Sequence, residues 1–315
     1  MKWTPLPVAL AAVLLLGACG DDKAASNTSP TAAPTTPTST AVDVTTAVEA
    51  STTSTLPAPS KIVSLSPTAT EMLFAIGAGS QVLAVDDQSN YPPEALQKPH
   101  DLSGLEPNVE AIAALKPDLV VIADDFTGLT KQLEGLGLKV WSGPAAKTFD
   151  AAYDQIEQLG AITGHVADAA AVVLGMKTDI DAAIKATPKP AQPLTYYHEL
   201  DNTYYSVTQN TFIGQVYSLF GLKSIADVQQ VDSDYPQLSA EAVISADPDF
   251  IFLADGGFGE SPATVAARPG WGGLKAVTNG NVVVVDADVS SRWGPRIVDY
   301  IKAVSAAVSK VAVAG

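Results

Sequence analysis

The 315-residue chain has little of what reactive chemistry draws on. Its one cysteine, Cys19, rules out an internal disulfide. Three histidines, His100, His165 and His198, stand far apart, and no pair has ligand spacing, whereas a metal centre needs three or four convergent ligands. There is no G-x-S-x-G elbow and no Walker loop, and Gly77-Ala78-Gly79 lacks the third glycine of a dinucleotide fingerprint. Nothing supplies a base partner for Ser66 or Ser290. Positive charge is scarce, with 18 Lys and Arg against 34 Asp and Glu, so nucleic acid and anionic membrane surfaces are excluded as electrostatic partners. No catalytic residue, metal ligand or cofactor is expected, and no enzymatic activity.

What the chain does have is a block that occurs twice. Glu110–Asp124, EAIAALKPDLVVIAD, returns as Glu241–Asp255, EAVISADPDFIFLAD, at an offset of 131 residues. Six residues recur in register: Glu110/Glu241, Ala111/Ala242, Pro117/Pro248, Asp118/Asp249, Ala123/Ala254 and Asp124/Asp255. Each copy reads as a short helix capped by Asn108 or Ser239, a proline stop, and a continuously apolar strand of the kind buried on both faces of a parallel sheet. Two copies are too few for a solenoid. They imply two similar α/β lobes, and the 47% hydrophobic content can fill two cores.

In chain order, residues 1–19 read as an export signal, with Lys2 followed by the apolar stretch Leu6–Leu16, too short to span a bilayer. It closes on Leu16-Gly-Ala-Cys19, which resembles a bacterial lipobox and predicts lipidation of Cys19. Residues 20–59, rich in Ser, Thr, Pro and Ala, cannot bury enough surface to fold and read as a spacer. A first lobe is expected over 60–146, connecting helices over 147–192 and a second lobe over 193–315. Within the first lobe, Thr68-Ala-Thr-Glu71 reads as a capping box and Gly77 as a C-terminal cap. Residues 165–186 carry an apolar residue every three to four positions and predict a rod about 30 Å long joining the lobes.

In parallel α/β sheets ligands sit beyond the carboxyl ends of the strands. The loops expected there are rich in aromatics: Tyr91, Phe126 and Trp141 with Gln88 in the first lobe, and Tyr204, Tyr205, Tyr235, Phe258 and Trp293 with Arg292 in the second. They predict a cleft wall for a large, partly apolar ligand, in which Arg292 is the single cation.

Four motifs then carry a resemblance. Lys61-Ile-Val-Ser-Leu-Ser-Pro-Thr-Ala-Thr-Glu71, Ser89-Asn-Tyr-Pro-Pro93, Asn108-Val-Glu-Ala-Ile112 with Lys116-Pro-Asp118, and Gly294-Pro-Arg-Ile297 together resemble the iron-siderophore and cobalamin receptors of bacterial ABC importers, the class III substrate-binding proteins. The resemblance covers residues 60 to about 310. It implies two Rossmann-like lobes joined by a long helix and a cleft that closes little on binding; with the lipobox at Cys19, the expectation is a monomer lipid-anchored to the outside of the cell membrane. It also implies that Glu110 and Glu241 dock on the permease. Helix capping alone would explain a glutamate at either position. The ligand implied is a ferric siderophore or corrinoid. Against cobalamin, Leu102-Ser-Gly-Leu-Glu-Pro107 has no tryptophan where such receptors carry one, and Gln88 replaces an expected aromatic. A divalent-metal receptor, a secreted hydrolase on a similar fold, and a solute sensor with a partner other than a permease are the alternative readings.

Overall fold

Two four-stranded, wholly parallel sheets form the frame, and their strand orders are the same permutation of the chain. The computed structural model describes residues 57–125, 127–228 and 233–314, so the export signal, Cys19, the spacer up to residue 56 and Phe126 lie outside the described residues. The first lobe runs β1 (Ile62–Leu65), α1 (Pro67–Ala75), β2 (Val82–Val85), α2 (Val109–Ala114), β3 (Leu119–Ile122), α3 (Leu129–Gly135) and β4 (Val140–Ser142). Helices α4 (Phe149–Thr163) and α5 (Val166–Ala186) follow. The second lobe runs β5 (Thr195–Glu199), α6 (Phe212–Ser218), β6 (Lys223–Ser224), α7 (Ala240–Ala246), β7 (Phe250–Leu253), α8 (Pro262–Ala267), α9 (Lys275–Thr278), β8 (Val282–Val284), α10 (Ala287–Ser291) and α11 (Ile297–Ala314). The orders are β2-β1-β3-β4 and β6-β5-β7-β8, so the duplication seen in the sequence extends to the topology.

The repeated block does structural work at both of its ends. Asn108 accepts from the amide of Ala111 at 2.8 Å and Ser239 from that of Ala242 at 3.1 Å, capping α2 and α7 as expected. The repeated aspartates reach back to the head of the first strand in each lobe. Asp118 accepts from Ser60 N at 2.9 Å and Lys61 N at 3.1 Å, and Asp249 from Thr195 N at 2.8 Å. These bonds hold the Asp118 carboxyl below its ordinary range, the amide of Ser60 first among them. β3 and β7 are buried along their full length, and alternate residues feed opposite faces of the sheet.

One face of each sheet contributes to a single shared core. Ile62, Leu119 and Val121 of the first sheet join Tyr196, Phe250 and Phe252 of the second through α4, α5, α6 and α11. The outer faces have separate cores, around Val63, Val120 and Ile122 in one lobe and around Ile251, Leu253 and Trp271 in the other. The connection is therefore broader than one rod. Gly160 lets α4 approach α5 so closely that a Cβ there would lie 2.4 Å from Ala169 Cβ.

Two local expectations shift. The cap of α1 is Ser66, which accepts from Ala69 N at 3.2 Å with Pro67 in the first helical position, so Thr68 to Glu71 already belong to the helix and form no capping box. Trp141 is inside β4, paired with Val121, rather than in a loop beyond it. Among the described residues no helix is long and apolar enough to cross a membrane.

Candidate functional site

Parallel strands place all their carboxyl-terminal loops on one edge of a sheet, and contacts between such loops reveal how the two edges meet. The loop after β2 touches the segment after β8. Arg292 Nη1 donates to Asn90 Oδ1 at 2.9 Å, Arg292 Nη2 to the carbonyl of Gln88 at 3.1 Å, and Asn90 Nδ2 to Asp288 Oδ2 at 2.6 Å. At the other side, Lys147 beyond β4 pairs with Asp234 at 3.2 Å, next to the segment that returns alongside Tyr205 to Thr208. Thus the β2 rim meets the β8 rim and the β4 rim meets the β6 side. The strand orders run oppositely across the gap, as a pseudo-twofold pairing of duplicated lobes requires. β3 and β7 lie between the rim strands of their sheets, so the loops that leave them open between the two rims.

The rim between β2 and β8 is closed by a charge cluster. Glu71 on α1 is buried; its Oε1 accepts from Arg292 Nη1 at 2.9 Å and from Arg296 Nη2, and its Oε2 accepts from Arg296 Nε at 2.9 Å. Arg292 Nη2 also pairs with Asp288 at 2.8 Å, and the Arg296 guanidinium lies 4.1 Å from the centre of the Tyr91 ring. A chain of short polar side chains supports the loop after β2. Ser89 Oγ lies 3.2 Å from Asp86 Oδ2 and 2.8 Å from Thr70 Oγ1, and Thr70 Oγ1 lies 2.8 Å from Ser64 Oγ, so the hydroxyls form one hydrogen-bonded row. Burial raises the Asp86 carboxyl to about 6 despite these bonds.

The site residues expected from sequence divide into two groups. Tyr91, Tyr205, Tyr235 and Phe258 are exposed, Phe258 by 87%, and so are available to a ligand. Gln88 is exposed as well, its amide bonded to Asp86 and its carbonyl to Arg292. The other described residues are committed within the protein. Trp141 packs in the shared core and donates to Gln158. Trp293 donates to Gln155 Oε1 at 2.7 Å, tying the second lobe to α4. Tyr204 stacks on Trp271 with centroids 5.8 Å apart. Arg292 is 8% exposed, and the four N–H groups on its two Nη atoms face Glu71, Asn90, Gln88 and Asp288. Its charge, read from sequence as the cleft's cation, is taken up by the tie between lobes.

Sequence reasoning missed Glu71, Asn90 and Arg296 as site-forming residues, although all three lie inside quoted motifs. The available signal was an acid in the apolar run Glu71-Met-Leu-Phe74, where a solvent-facing cap would be out of place. It also missed a second cluster, in which Arg268 forms a two-pronged pair with the fully buried Glu199, at 2.6 Å for each bond, and binds Glu260 at 2.7 Å. Asp255, the repeat partner of the half-buried Asp124, is 3% exposed beside that cluster and has no hydrogen-bond partner on either oxygen. Burial, then the neighbouring Glu199, raise its carboxyl to about 6.

Glu110 and Glu241 are both exposed, each at the second position of its helix. Among the described residues no group of three or more His, Cys, Asp or Glu is arranged to hold a metal ion.

Comparison with known proteins places this geometry. The model of the periplasmic binding protein family matches residues 62–289. A cobalamin-binding protein of Halobacterium salinarum is 33% identical over 250 residues, covering 76% of this chain and 67% of that protein. An uncharacterized ABC transporter substrate-binding lipoprotein of Bacillus subtilis, YvrC, is 31% identical over 78% of each chain. The crystal structure of the periplasmic vitamin B12 binding protein of Vibrio cholerae superposes with a TM-score of 0.68 at 28% identity, covering 82% of this chain and 99% of that one.

Proposed function

Because the chain belongs to the periplasmic binding protein family, we propose that it is the extracytoplasmic receptor of an ABC importer, capturing a corrinoid or ferric siderophore and presenting it to the permease. A cobalamin-type corrinoid is the first candidate, since relatives of this length and similarity are named for cobalamin or vitamin B12. Its ring would meet the exposed aromatics Tyr91, Tyr205, Tyr235 and Phe258, together with Gln88. The protein works as a monomer held at the membrane through lipidated Cys19, as the relative named a lipoprotein suggests.

The observation that carries the transport reading is the matched pair Glu110 and Glu241. They are exposed, in register in the duplicated block, and set on the same turn of equivalent helices, one per lobe. Both would dock on cationic side chains of the permease. Truncating one side of such a pair costs about 2–5 kcal/mol of binding. Loss of the helix-dipole interaction costs the fold at most about 1 kcal/mol at each site. The double reversal Glu110→Lys with Glu241→Lys is therefore expected to leave cyanocobalamin affinity unchanged and to abolish stimulation of the reconstituted importer's ATPase. Normal stimulation by the reversed protein would reduce these glutamates to helix caps.

A further inference from the structure

The loops that follow the strands contain four Lys and Arg residues: Lys98, Lys147, Arg292 and Arg296. Lys98 lines a surface pocket with Phe74, Gly77 and Gly79, past the C-terminal end of α1, and the other three are held by carboxylates. Arg292 and Arg296 face Glu71 and Asp288, two guanidiniums against two acids, and Lys147 faces Asp234. Arg268, which lies beside the loop after β7, meets Glu199 and Glu260, one cation against two acids. Meanwhile the loops between the rims carry Asp124, Asp125 and the unpartnered Asp255. Glu71 is decisive here, because its buried carboxylate takes a hydrogen from Arg292 Nη1 and grips Arg296 through Nε and Nη2, setting one carboxylate against both guanidiniums at once.

We propose that the cleft selects chelates without net negative charge, and that Glu71 is the specificity-determining residue, acting by neutralising Arg292 and Arg296. This rests on the receptor reading above and narrows its ligand: neutral or cationic corrinoids and hydroxamate-type chelates are accepted, and polyanionic chelates are rejected. The rejection is a matter of field as well as contact, since low-dielectric walls of one sign focus potential into the gap between them.

Ligands of matched shape separate charge from fit. One series is cyanocobalamin and its monocarboxylate, in which one peripheral amide is hydrolysed. The other is a linear ferric trihydroxamate with its terminal amine free, acetylated or succinylated. Titrations monitored by tryptophan quenching at low ionic strength are expected to show the anionic member of the bound series roughly 5- to 10-fold weaker than the neutral one, with the gap closing near about 1 M salt, where screening acts over about 3 Å. Glu71→Gln, and independently Asp288→Asn on the partly exposed flank of the cluster, are expected to shrink that ratio. A purely structural role would change affinities for all members alike and leave the ratio intact. An anionic member that binds as well as its neutral counterpart overturns the inference and leaves the receptor standing, as does a ratio unmoved in both variants. Failure of every member of both series to bind overturns the receptor reading and this inference with it.

Discussion

Removing Glu71 tests the interlobe cluster where its energetics are most lopsided. In Glu71→Ala, Arg292 keeps Asp288, Asn90 and the carbonyl of Gln88, while Arg296 keeps only its stacking on Tyr91 among the described contacts. Breaking a buried pair by deleting one partner costs about 3–5 kcal/mol, because the survivor is left uncompensated. Arg292→Ala is different: Glu71 retains both hydrogen bonds from Arg296. Its loss should fall nearer the ~1.5–3 kcal/mol of hydrogen bonds to charged groups. For a folded body of this size each kcal/mol moves the melting temperature by about 2–4 °C. Glu71→Ala should thus lower it by roughly 6–20 °C, and Arg292→Ala by less. Urea denaturation of the parent, both single variants and the double variant closes a thermodynamic cycle, and a coupling of at least ~1 kcal/mol is expected for side chains in direct contact. A Glu71→Ala protein as stable as the parent, or a coupling energy of zero, would refute the claim that this carboxylate joins the lobes.

Other consequences can be checked separately. Asp255 has its folded-state value raised to about 6 from 3.8, so its contribution to stability is fully present below about 3.8 and lost as pH rises through 6. Asp255→Asn should melt a few degrees above the parent at pH 7.5, with the advantage gone by about pH 4; a gap independent of pH would contradict the assignment. At Gly214 a Cβ would stand 2.2 Å from the carbonyl oxygen of Thr208, which is backbone and cannot swing aside. Gly214→Ala should cost about 1–3 kcal/mol in chemical denaturation, and a neutral result would mean that α6 shifts freely. Cys19→Ser should release the protein from cells into the medium with its ligand affinity intact. Parent protein already soluble, with an unmodified Cys19 by mass spectrometry, would end the anchor claim.

The frame was legible because it follows local rules. The repeated block announced the duplication, Asn108 and Ser239 marked the caps, and the apolar runs at 119–122 and 250–253 marked the central strands. The site was less legible for a physical reason. Whether an aromatic in a loop is wall or core depends on which distant element lies under it, and no spacing rule carries that information. Trp141 and Tyr91 look alike in sequence, yet one is covered by α4 and the other is left beneath an arginine from the far end of the chain. Arg292 failed in the same way. Its partner Glu71 lies 221 residues earlier, on a helix whose glutamate reads locally as a cap.

The shared core also bears on how the molecule can be divided. A duplication invites the idea that each half is a self-sufficient module, to be expressed alone or exchanged with a relative. Yet α11, the last helix of the chain, lies against α5, with Lys302 bonded to Asp179 at 2.8 Å, and Ile301 and Val304 share a cluster with Ile62 and Val121 of the first sheet. A cut between the halves would leave each fragment with an open apolar flank fitted to the other, so the fragments should aggregate singly and regain structure when mixed. The two copies are halves of one hydrophobic interior, and recombination within this family should succeed where it exchanges surface loops and fail where it exchanges whole lobes.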